Sequence, residues 1–124
     1  MRIATWNVNS IRTRAGRVVD WLVREDIDVL AMQEIKCRPE QFPLEEFERA
    51  GYRLEIHGLN QWNGVAFASR HEMTEVARGF EGMPGFGQPI KGREAEQGIG
   101  PNGLPLEARA LGVSVGDLRL WSLY

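Results

Sequence analysis

Asn7 and Glu34 are the side chains whose types and spacing best suit chemistry. Residues 2–7 read as a short strand that ends on Asn7, and the apolar run 29–32 reads as a strand covered on both faces, followed by Gln33 and Glu34. Between them Ile11, Ala15, Val18, Val19, Leu22 and Val23 recur at helical spacing. This predicts an amphipathic helix ending near Glu25 and Asp26, with Asn9 and Ser10 as its capping side chains. A right-handed β-α-β crossover makes the two strands parallel, so their C-terminal ends open onto one edge, where α/β sheets build ligand sites. Asn7 and Glu34 therefore share that edge. One carboxylate and one amide oxygen are hard donors, suited to Mg²⁺, with Mn²⁺ as the alternative, because such an ion keeps waters and takes further ligands from a phosphate. From the residues alone a second reading stays open, with Glu34 a salt-bridged or capping carboxylate and Asn7 an ordinary turn amide.

The other reactive side chains read as structural. Cys37 is the single cysteine, so no internal disulfide forms and a thiolate metal site lacks ligands. His57 stands before Gly58 and His71 before Glu72, and both are assigned to structure. The net charge of −2 gives no global basic footprint and counts against DNA binding by bulk electrostatics, so any such contact would be local. Arg12, Arg14, Arg17 and Arg24 cluster near the start and read as a solvated helix face. No apolar run is long enough to cross a membrane, and the opening MRIATWNVN lacks the order of a secretory signal, which points to a cytoplasmic protein.

The elements that must hold the edge in place follow from punctuation. Pro43 and LEEFERAG predict a short helix stopped by Gly51, and residues 52–57 and 64–69 predict antiparallel strands across a turn. Residues 79–106 recur in glycine and proline without apolar period and read as one long flexible loop. Residues 108–115 and 118–123 frame Gly116 and Asp117 as a hairpin. The chain then closes on Tyr124 within an apolar strand, and the expectation is a truncation there.

TWNVNSIR resembles the opening signature of the exonuclease III family, the exodeoxyribonuclease III and AP endonuclease branch of the endonuclease/exonuclease/phosphatase fold. IDVLAMQEIK resembles its second signature, and FPLEEFERAGY, NGVAFASR and EARAL…LRLWSLY continue the likeness along almost the whole chain. Ile27, before Asp28, and the length of the glycine-rich loop depart from the pattern.

The resemblance implies an α/β fold, part of a four-layer α/β sandwich with a mixed sheet and flanking helices. Residues 1–124 would then be the N-terminal portion of a single truncated domain that contributes one sheet and its helices. It implies that Asn7 and Glu34 belong to a metal site, and that Tyr124 matches the family's active-site tyrosine, which would donate a hydrogen bond to a phosphate oxygen. The implied activity is Mg²⁺-dependent phosphodiester hydrolysis, as 3′–5′ exonuclease and abasic-site endonuclease. Its partner would be double-stranded DNA with 3′ ends or abasic sites, with no membrane and no obligate protein partner. The family's remaining site residues have no counterpart here, so the chain alone is expected to be inactive and poorly soluble. Two alternatives are a phosphatase or sphingomyelinase-type phosphoesterase of the same fold, favoured less by Lys36 and the Asn-x-x-Ile-Arg opening, and a non-catalytic α/β domain. A base-stacking role for the tryptophans is disfavoured, since Trp6 and Trp121 read as core aromatics, and only Trp62 in the turn LNQWNG stays a candidate to face DNA.

Overall fold

The computed structural model describes residues 1–124. In chain order it contains β1 (Ile3–Asn7), α1 (Ala15–Arg24), β2 (Val29–Gln33), a 3₁₀ turn (Pro39–Gln41), α2 (Leu44–Arg49), β3 (Arg53–His57), β4 (Val65–Ser69), β5 (Thr74–Arg78), α3 (Glu94–Gln97), β6 (Ala110–Val115) and β7 (Leu118–Leu123). β1 pairs with β2 in parallel, register Asn7 to Gln33, as the β-α-β reading requires. β2 and β3 both pair antiparallel with β4, giving a mixed sheet of order β1-β2-β4-β3.

The expectation of one sheet is corrected. β5, β6 and β7 form a second, antiparallel sheet that packs on the first. Side chains alternate across a strand, so β2 sends Leu30 and Met32 to one face and Val29 and Ala31 to the other. The first face packs under Val18 and Leu22 of α1 and Phe47 of α2. The second joins Val65 and Phe67 of β4 against Leu111, Val113 and Val115 of β6. Helices, first sheet and second sheet are thus successive layers of an α/β sandwich. β5 carries no strand signal in its sequence, because TEVAR has two exposed polar ends and pairs through an irregular register with β6.

Three further differences bear on the site. α1 begins at Ala15 with Arg14 as its cap, and no side chain caps it, so Asn9 and Ser10 are not caps. Instead both adopt left-handed backbone, with φ of 43° and 81°, and the chain runs beside the end of β2. There the Ser10 N–H donates to the Glu34 carbonyl at 2.8 Å and the Ile11 N–H to that of Ile35 at 3.2 Å. Second, residues 79–106 include the helical turn α3 and a bridge between Ile99 and Pro105. Third, Trp121 is not core. It lies on the outer face of the second sheet opposite Gly112, where a Cβ would come within 2.8 Å of the indole, and it meets the Phe80 ring edge-on at 5.9 Å. Trp6 is half-buried against Trp21 at 5.3 Å.

Candidate functional site

The parallel pairing of β1 and β2 puts Asn7 and Glu34 side by side, and the Asn7 Nδ2 donates to Glu34 Oε1 at 2.8 Å. The Asn7 Oδ1 accepts the Asn9 N–H at 3.1 Å, so the left-handed turn after β1 orients the amide. Glu34 and Lys36 are themselves left-handed, each with φ of 54°. Such backbone is costly for side-chain-bearing residues and is held only where surrounding bonds over-determine it. Here those bonds are the Ser10 and Ile11 amides and the pairing of the Ile35 and Lys36 amides with the Gly64 and Asn63 carbonyls.

Lys36 turns back over the edge, with Nζ 3.3 Å from Glu34 Oε2 and 2.7 Å from Asn9 Oδ1. Arg12 Nη2 reaches the Lys36 carbonyl at 3.5 Å and Arg14 donates to the Asn9 carbonyl. These two arginines precede α1, so they gather at the site rather than on the helix face the sequence suggested for them. Lys36 and Asn9, outside the predicted site set, become its neighbours because left-handed backbone at Asn9 and Ser10 and at Glu34 and Lys36 folds them inward. No periodicity signals that.

The second sheet supplies the third residue. Gln33 Nε2 donates to Thr5 Oγ1 and to Ser122 Oγ, both at 3.0 Å, and Ser122 Oγ donates to the Met32 carbonyl at 2.9 Å. This strap fixes β7 against the end of β2, so Tyr124, two residues on, faces Glu34, one residue after Gln33. The Tyr124 N–H continues the ladder to the Arg109 carbonyl at 2.9 Å, and the Arg109 guanidinium lies 5.2 Å from both the Tyr124 and Phe86 ring centroids. Asn7, Glu34 and Tyr124 therefore converge, although Tyr124 lies 90 residues beyond Glu34.

Electrostatics reflect that arrangement. The hydrogen bond from Asn7, then the nearby Tyr124 hydroxyl and Lys36 ammonium, hold the Glu34 carboxyl below its ordinary range. The neighbouring Glu34 carboxylate, then partial desolvation, raise the Tyr124 phenol above its ordinary value. The group is thus an ionised carboxylate between two neutral donors and one ammonium. Neither histidine joins it. His57 is held neutral, its pKa lowered to about 4 by burial and then by Arg78, and His71 lies 3.2 Å from Asp28. Burial pushes the Cys37 thiol up to about 11, which leaves it unreactive.

No three His, Cys, Asp or Glu side chains cluster as a closed metal cage. The donor set still fits a hard cation that keeps its own waters, because such an ion is bound through one or two carboxylates plus substrate phosphate. Glu34 would hold it, joined by the amide oxygen of Asn7 once that amide turns from the Asn9 N–H toward the carboxylate.

The sequence matches the model of the endonuclease/exonuclease/phosphatase family over residues 4–104. Exodeoxyribonuclease III of Haemophilus influenzae is 34% identical over 80 residues, 64% of this chain and 30% of its own length. An AP endonuclease of Archaeoglobus fulgidus superposes with a TM-score of 0.74 at 32% identity, over 100% of this chain and 41% of that one. A 3′–5′ exonuclease of Neisseria meningitidis gives 0.78 at 27% identity over the same shares. The chain thus spans less than half the length of each of these relatives.

Proposed function

Because the chain belongs to the endonuclease/exonuclease/phosphatase family, we propose that it serves a Mg²⁺-dependent DNA-repair phosphodiesterase of the exonuclease III kind. The reaction is hydrolysis of a phosphodiester bond in double-stranded DNA, from a 3′ end or at an abasic site. The observation that carries this reading is the convergence of Glu34, Asn7 and Tyr124 at the carboxyl ends of β1 and β2.

In this reading Glu34 and the Asn7 amide oxygen hold the magnesium, with Mn²⁺ as a substitute. When bound, the ion supplies neutralisation of phosphate charge. The Tyr124 hydroxyl, close to the Glu34 carboxylate, would donate to a phosphate oxygen once that carboxylate turns to a cation. Lys36, Arg12 and Arg14 put three positive charges beside the edge in a chain of net charge −2, which meets the demand that DNA contact be local. A structurally similar protein, a 3′ phosphatase of Neisseria seen bound to a product DNA hairpin, supports the DNA partner.

Residues 1–124 bring a single carboxylate to the site, and catalytic groups that act as a unit lose nearly all rate when incomplete. We therefore infer that they turn over DNA only at background alone. The test is Glu34→Gln in the complete gene product, assayed on an abasic-site duplex at saturating magnesium. The expected loss is on the order of 100-fold or more, as for removal of one preorganised electrostatic group. Activity near wild type would take Glu34 out of the reaction.

A further inference from the structure

We propose that the cleft between the Trp62 turn and residues 88–90 binds an unpaired nucleobase of the DNA strand handled at Glu34 and Tyr124, an inference that rests on the DNA reading above. The cleft has a volume of about 480 Å³, within the range of small-ligand sites, and its walls include Asn60, Trp62, Asn63, Gln88 and Arg109. Trp62 is 60% exposed, so its ring offers a stacking surface that costs nothing to uncover.

The amides beside the ring are oriented and partly free. Asn60 Oδ1 accepts the Trp62 N–H at 2.9 Å, which pins the turn and leaves Nδ2 without a protein partner. Asn63 Nδ2 donates to Glu107 Oε2 at 2.6 Å, which leaves Oδ1 open. A donor and an acceptor next to an aromatic face match the edge of a base, and only an unpaired base presents that edge. The opposite wall is braced. Buried Gln97 accepts the Ile90 N–H at 2.9 Å and donates to the Gln88 carbonyl at 3.3 Å. Glu107 is the one acid lining the cleft, and Arg109 neutralises it at 2.8 Å. Carboxamide walls also disfavour an apolar peptide, which would leave their polar atoms unpaired.

Arg109 joins this cleft to the site. Its guanidinium lies over the Tyr124 ring, whose hydroxyl faces Glu34. A nucleotide with its phosphate at that edge has its base, or that of its neighbour, directed past one guanidinium into the cleft.

The test uses a short single-stranded oligonucleotide carrying 2-aminopurine, read by fluorescence with the wild-type protein, Trp62→Ala and Trp62→Phe. Trp62→Ala is expected to weaken binding about ten-fold, within the stacking contribution of one base, while Trp62→Phe keeps most of the affinity. Deoxyadenosine monophosphate should compete, and the same label within a duplex should bind less well. Equal affinities of wild type and Trp62→Ala, or a preference for the paired label, would overturn the proposal. Magnesium-dependent cleavage measured in parallel separates the two readings. With cleavage read in the complete gene product, a Trp62 contrast without cleavage removes the nuclease and keeps the cleft, whereas cleavage without the contrast removes the cleft.

Discussion

His57 should make the fold acid-sensitive between about pH 6.5 and about pH 4. The ring sits on β3 within the cavity beneath residues 79–106, and burial, then Arg78, lowers its pKa from 6.5 to about 4. In the unfolded chain the ring takes up a proton below about pH 6.5, whereas the native ring refuses it until about pH 4. The unfolded state therefore binds more protons between those values, and stability falls as pH drops through them and levels off below. Going from about pH 7.5 to about pH 5, the unfolded ring gains nearly 1.5 pK units of protonation free energy and the native ring almost none, about 2 kcal/mol at 1.36 kcal/mol per unit. Because part of the ring still meets solvent, that figure is an upper bound. The carboxyls of Asp28 and Glu34 also oppose acid, but they start from 3.8 and 4.5 and act below this window. The assay is urea unfolding of the wild type and of His57→Gln at both pH values. The wild type should lose up to about 2 kcal/mol more than the variant. Parallel losses in both proteins would refute a neutral, half-buried His57.

Four other outcomes follow from the packing and the site. Tyr52→Phe leaves the Ile27 and Leu22 carbonyls, which its hydroxyl now serves at 2.5 and 3.3 Å, without that donor, and should cost roughly 1–3 kcal/mol in urea unfolding. Phe67→Ala opens the layer between the two sheets and should cost about 3–5 kcal/mol, whereas a cost below about 1 kcal/mol would mean that the sheets do not pack as described. Gly112→Val drives a side chain into the Trp121 indole, so Trp121 emission should shift and stability fall by about 1–3 kcal/mol. Asn7→Ala removes the leading cause of the depressed Glu34 acidity, so the Glu34 pKa followed by NMR should rise, and an unchanged value would break the pairing.

Local pattern was enough for the parts of the fold that local physics controls. The β-α-β unit, the α2 helix with its Gly51 stop, the β3–β4 pair and the β6–β7 hairpin all follow from period and punctuation, and the structure has each of them. With them comes the meeting of Asn7 and Glu34, because a parallel crossover leaves two strand ends no other place to open. Tyr124 was marked by resemblance alone, since no spacing rule links residues so far apart in sequence.

What only the tertiary structure decided is where elements with two apolar faces find their second partner. β2 and β4 are apolar on both faces, which a sequence can announce, but nothing in it states that the opposing surface is β6 rather than another helix. The same packing, through Gln33 and Ser122, sets Tyr124 against Glu34. It also puts Trp121 on an outer face, which the sequence reading assigned to the core, because the strand's alternation is the same whichever side is covered. The left-handed turns at Asn9, Ser10, Glu34 and Lys36 belong to this class too. They are held by bonds between segments distant in sequence, so the chain specifies the residues of the site, and the contacts between its layers specify their directions.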